Sequence, residues 1–177
     1  MAGFTRKLDI DKVRRLQQEA GRAVAALQAL AAESKRERLV KLVAEPDPGP
    51  LSRTLLRLRH DLVMIGRAAV VPLPDIFAER LDPLLARMAT SASDYLHGSA
   101  TTLALRRSPP SLDRVKAALE AYTSEITALR NEGLTRTLSS NEVEQIFALG
   151  FALEQLQQNF SDLERCVQEN ALSQVVK

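Results

Sequence analysis

Apolar residues recur along this chain at steps of three and four, a period that belongs to an α-helix and not to a strand. The sharpest case is residues 51–67, LSRTLLRLRHDLVMIGR, where Leu51, Leu55, Leu58, Leu62 and Ile65 draw one stripe. Leu56, Val63 and Val70 widen that stripe. The width predicts a helix from about Leu51 to Val70 that touches more than one neighbour and sits centrally. On its opposite face Arg53, His60 and Arg67 fall seven residues apart, with Arg57 and Arg59 flanking them.

Four other segments carry the same period, and prolines separate them. The first runs from about Asp9 to Ala44, with Val13, Leu16, Ala20, Ala23, Leu27 and Leu30 as its stripe and Leu39 and Leu42 resuming it. Gly21 lies where a neighbouring backbone could come close. The run EPDPGP, residues 45–50, removes backbone donors and ends this helix. PLP, residues 72–74, ends the second.

The third helix runs from about Asp75, a candidate cap, to Arg106. Its stripe is Phe77, Leu81, Leu84, Met88 and Tyr95, with Ser91 in register. Pro83 falls inside it and predicts a kink or a short lead-in turn. The fourth starts with Ser111 as N-cap and ends at Gly133. Leu112, Val115, Leu119, Tyr122, Ile126 and Leu129 form its stripe. The fifth opens on Ser139 and Glu142, the spacing of a capping box. Leu149, Leu153, Leu156, Phe160, Leu163 and Val167 carry it to about Asn170.

The expectation is all-α: an elongated antiparallel bundle of about five long helices, packed at shallow angles. It forms one domain over residues 1–177, with 1–8 and 171–177 frayed. Composition agrees. Hydrophobic residues are 45% of the chain, glycines number 7 and tryptophan is absent. Ala, Leu, Arg, Glu and Gln, the good helix formers, dominate.

The net charge of +2 points to no partner, but its distribution is uneven. Residues 1–60 hold 13 Lys and Arg against 7 Asp and Glu; residues 138–177 hold 2 against 6. Two helices of opposite charge lying side by side account for this, and a basic face for an anionic surface is the sharper alternative. Neither end has a block of five like charges. Aromatics at 4% are too sparse for base stacking, so nucleic acid is not an expected partner.

Catalytic chemistry finds little footing. His60 and His97 are the only histidines and belong to different helices, without carboxylates at metal-ligand spacing. Phosphate-binding and nucleophile-elbow motifs are missing. Cys166, the only cysteine, sits on the apolar stripe of the last helix and reads as a buried, inert thiol. The expectation is a protein that is not an enzyme and holds no cofactor or metal. One candidate surface remains, made by Arg53, Arg57, Arg59, His60 and Arg67: either a contact for a partner or anion, or a plain solvated face. Asp61 is expected to pair with Arg57 one turn back. The start of the chain has no apolar leader region, and no run reaches 18 apolar residues.

Two segments carry a resemblance. LRLRHDLVMIGRAA followed by PLP, within residues 56–74, and EGLTRTLSSNEVEQIFALGFALEQLQQNFSDLER, residues 132–165, resemble the soluble helical region of bacterial fusaric acid resistance proteins. That family includes aromatic acid exporters of the inner membrane. The resemblance covers most of residues 9–170 and rests on sequence texture rather than a catalytic signature. It implies a non-enzymatic domain on the cytoplasmic side of the bacterial inner membrane, with an assembly, gating or partner-contact role in an efflux transporter. Its partners would be the membrane-embedded part of the same protein or other subunits, and the stripes could also be shared between copies in a homo-oligomer. The chain lacks the family's membrane helices, so an excised domain is expected, and no transport residues carry over. The alternative is a stand-alone helical adaptor that binds another protein through an exposed heptad face.

Overall fold

The computed structural model describes residues 10–41, 47–69 and 72–172. Within them the helices are α1 (Ile10–Lys41), α2 (Gly49–Ala68), α3 (Asp75–Leu105), α4 (Asp113–Asn131) and α5 (Ser140–Leu172), with a short 3₁₀ turn at Leu134–Thr137. No strand occurs among the described residues. The all-α bundle expected from the spacing is therefore present. Residues 1–8 and 173–177, where fraying was expected, together with Asp9, Leu42 of the first stripe and Val70 of the second, lie outside the described residues, whereas Ala171 and Leu172 still belong to α5.

The helix ends follow the local chemistry. Glu142 accepts the Ser139 backbone N–H at 2.7 Å while the Ser139 hydroxyl accepts the Glu142 N–H at 3.4 Å, closing the expected capping box. The Ser111 hydroxyl accepts the Asp113 N–H at 3.1 Å. Gly133 takes a left-handed φ of 78° just past α4, where a side chain would be strained. Arg106 does the same for α3 without being glycine (φ 52°), and the Arg107 N–H closes the motif on the Thr102 carbonyl at 2.8 Å. Pro74, not Asp75, precedes α3 as its N-cap. Pro83 lies within α3, which continues through it as one helix.

Cross-helix pairs fix the directions. Arg57 meets Asn159 and Asp162, and Gln145 meets the Ala68 carbonyl, so α2 and α5 are antiparallel. Arg80, early in α3, bridges to Glu125 and Glu132 at the far end of α4, whereas Asp94 and Tyr95 face Asp113 and Val115 at its start, so α3 and α4 are antiparallel too. The Tyr95 ring packs tilted against Phe160, centroids 5.1 Å apart, and its hydroxyl donates to the Phe160 carbonyl at 3.2 Å, tying α3 to α5.

The core is built from α2 to α5. Phe77, Leu81, Met88, Leu129, Leu149, Phe160 and Val167 are all essentially inaccessible. Every stripe residue named for α5 is buried. In α3, Leu84 is only partly buried and its neighbour Leu85 takes the core position.

Two expectations change. The central helix is α5, which packs against α2, α3 and α4; the wide stripe of α2 instead serves α5 on one side and α1 on the other. The second change concerns α1, whose main packing partner is α2 and which contributes no residue to the buried core among the described residues. Its inward line is Val13, Gln17, Ala20, Val24, Leu27 and Ala31, while Leu16, Ala23 and Leu30 of the expected stripe stay exposed. A helix packed mainly on one neighbour buries mainly one narrow seam, so half of a broad stripe is left outside. Gly21 meets a side chain rather than a backbone: the Arg59 guanidinium lies about 3.3 Å from where a Cβ would sit.

Candidate functional site

The basic residues of α2 do not form one surface. Arg53, His60 and Arg67 are exposed, as their sevenfold spacing implies. Arg59 turns to α1 and covers Gly21. Arg57 turns to α5: it donates to Asn159 Oδ1 at 2.8 Å, to Thr54 Oγ1 at 3.2 Å and to Asp162 Oδ2 at 2.5 Å. Asp162 in turn accepts from Arg165 at 2.8 Å.

Arg57 is thus a clamp between two helices: all five residues of the expected face keep exposed surface, but the guanidinium groups of Arg57 and Arg59 are turned to α5 and α1. The expected pairing of Asp61 with Arg57 is replaced as well. Asp61 is buried and accepts from Asn159 Nδ2 at 2.6 Å. Asn159 stands between the two, donating to the carboxylate and accepting from the guanidinium. Burial pushes the Asp61 carboxyl above its ordinary range; the bond from Asn159 and the nearby His60 and Arg57 work against that. The uneven charge of the chain has its physical outlet here, where basic α2 meets acidic α5.

Cys166 is half-buried on α5 near Thr54. Burial raises its thiol pKa, which lowers the thiolate fraction and its nucleophilicity. Among the described residues, no group of three or more His, Cys, Asp and Glu is placed to hold a metal ion. No described helix is long and apolar enough to cross a membrane.

The feature that the sequence did not single out is an apolar groove. Helices α2 and α3 both rest on α5 but hardly touch each other. Between them lies a half-open groove of about 270 Å³, walled by Leu62 and Ile65 on α2, by Met88, Ala92 and Leu96 on α3, with Leu153 and Leu156 at its floor. Ser93 and His97 stand on the α3 side. The His97 ring Nδ1 lies 2.8 Å from the Ser93 carbonyl.

The sequence assigned Leu62 to the core stripe, and it is 47% exposed because no helix closes over it. Leu16 and Leu30 on α1 and Phe147 and Phe151 on α5 are more exposed still. Phe147 and Phe151 are one helical turn apart on the face of α5 opposite its core stripe. Searches of protein-family models, of curated proteins and of solved structures find no match to this chain.

Proposed function

We propose that this chain is a helical domain, outside the membrane, of a transporter of the fusaric acid resistance type. It works by contact, on the cytoplasmic side of the bacterial inner membrane, and does no chemistry of its own. Support comes first from the two segments that resemble that family, residues 56–74 and 132–165.

The observation that carries the contact role is the uncovered apolar surface. Leu62 and the α2–α3 groove, Leu16 and Leu30, and Phe147 and Phe151 expose large hydrophobic side chains on three parts of the bundle. Of these the α2–α3 groove is a contiguous apolar surface, and such surfaces mark interaction sites. A partner whose apolar side chains fill the groove between α2 and α3 would also tie those two helices together, and that is a physical route to gating.

The test is membrane fractionation of the natural gene product, together with growth of a deletion strain on aromatic carboxylic acids. The expected result is an inner-membrane product, a reading frame with several apolar 20-residue runs, and a sensitised strain. A product without such runs, recovered away from the membrane in a strain of unchanged tolerance, refutes the transporter reading. It would favour an adaptor, for which the heptad-spaced Leu16, Ala23 and Leu30 are the supporting feature.

A further inference from the structure

We infer that two copies of this chain pair through a two-fold interface in which α1 of each copy lies on the α2–α3 groove of the other. The inference rests on uncovered apolar surface and not on the transporter reading. Two features need covering, and they are unlike in shape. One is a ridge: Leu16 and Leu30 on α1 are 55% and 63% exposed, with Ala23 exposed midway between them. The other is the groove of about 270 Å³. The groove is half-open between two helices, so the side chains of a ridge can enter it while their helix lies across its mouth.

The lengths agree. Leu16 to Leu30 spans about 21 Å at 1.5 Å per residue, and the α3 wall from Leu85 to Leu96 spans about 16 Å. The sides agree as well. The antiparallel course of α1 and α2 is fixed by Arg59 over Gly21 and by Gln17 beside Gly66. At 100° per residue the ridge lies roughly 80° round α1 from its seam with α2. The sense of that rotation is the flank from which Leu62 leaves α2. Ridge and groove thus open to the same side of the bundle, and a single two-fold rotation covers both at once. An isologous pair of this kind closes on itself, whereas a ridge meeting the outer face of α5 would extend head to tail.

The size of the contact sets the affinity expected. A strip about 10 Å wide and about 20 Å long, counted on the ridge and again on the groove, is roughly 400 Å² per partner, half the usual figure for a stable complex. The pair is therefore weak, with a dissociation constant on the order of micromolar or above.

Sedimentation equilibrium of the 177-residue chain from about 1 to about 500 μM tests this. The expected result is a monomer–dimer equilibrium. Leu16→Glu with Leu30→Glu, on α1, and separately Leu62→Glu, in the groove, should each weaken dimerisation at least tenfold. These positions are exposed, so helix content and melting temperature should stay unchanged. A chain that remains at 19.5 kDa throughout overturns the inference. So does a dimer that survives the α1 and groove changes, or one lost only in Phe147→Glu with Phe151→Glu.

Discussion

Replacing Arg57 by glutamine separates a structural arginine from its exposed neighbours. The Arg57 guanidinium is the donor for Asn159 Oδ1 at 2.8 Å, and Asn159 is only 7% exposed. Glutamine is too short to reach it. A buried acceptor left without its donor costs about 1–3 kcal/mol. The ion pair to Asp162 adds at most about 1 kcal/mol, because the Arg57 side chain is half-exposed and solvent screens it. The expected loss is about 2 kcal/mol, or a fall in Tm of roughly 4–8 °C for a chain of this size.

Urea unfolding followed by circular dichroism measures it, with Arg53→Gln and Arg67→Gln as references that should each stay within about 0.5 kcal/mol. Asp162→Asn locates the energy: it removes the charge from the screened pairs to Arg57 and Arg165, leaves the Arg57–Asn159 bond, and should cost under about 1 kcal/mol. Should Arg57→Gln cost no more than Arg53→Gln, or Asp162→Asn cost as much as Arg57→Gln, the clamp through Asn159 is the wrong explanation.

Asp61 gives a pH signature of known sign. Its folded pKa is raised, so the folded state holds the proton longer, and stability falls as pH rises from the ordinary value near 3.8 toward the raised one. Asp61→Asn keeps an acceptor for Asn159 and removes the titration, so its stability relative to the wild type should grow across that window; a difference that ignores pH would contradict the burial argument. Tyr122 is fully buried, its hydroxyl finds no hydrogen-bond partner among the described residues, and burial pushes its pKa to about 12. Tyr122→Phe should therefore be neutral or stabilising by about 1 kcal/mol in thermal unfolding, where a buried donor with a partner would lose that much. Gly133→Ala meets no steric neighbour, so only its positive φ opposes it, at a cost of about 1–2 kcal/mol in the same assay.

How much of the candidate site could be read beforehand depends on the residue. The exposure of Arg53, His60 and Arg67 follows from phase alone, because residues seven apart on a helix share a face whatever lies around it. The destinations of Arg57 and Arg59 do not. Their Cα positions differ by two residues, yet one side chain crosses to α5 and the other to α1. A long, flexible cation ends where a partner stands, and partners 102 residues away are not visible locally. The groove was hidden for a related reason. Leu62 and Leu58 belong to one stripe, and only the separation of α2 from α3 makes Leu58 core and Leu62 surface.

The sequence by itself determined the five helices, the capping box of α5, the Gly133 stop after α4, and the buried face of α5. These depend on interactions within a few residues: the 3.6-residue period, the donors missing at proline, and the hydroxyl and carboxylate of Ser139 and Glu142. Tertiary structure decided which helix is central, which half of the α1 stripe stays outside, and where apolar side chains line a groove instead of a core. Hydrophobic burial has no direction of its own, so a stripe states that a face seeks cover without stating what covers it. In this chain α5 received three main packing partners and α1 one, and the contact surfaces proposed for it are the faces left over.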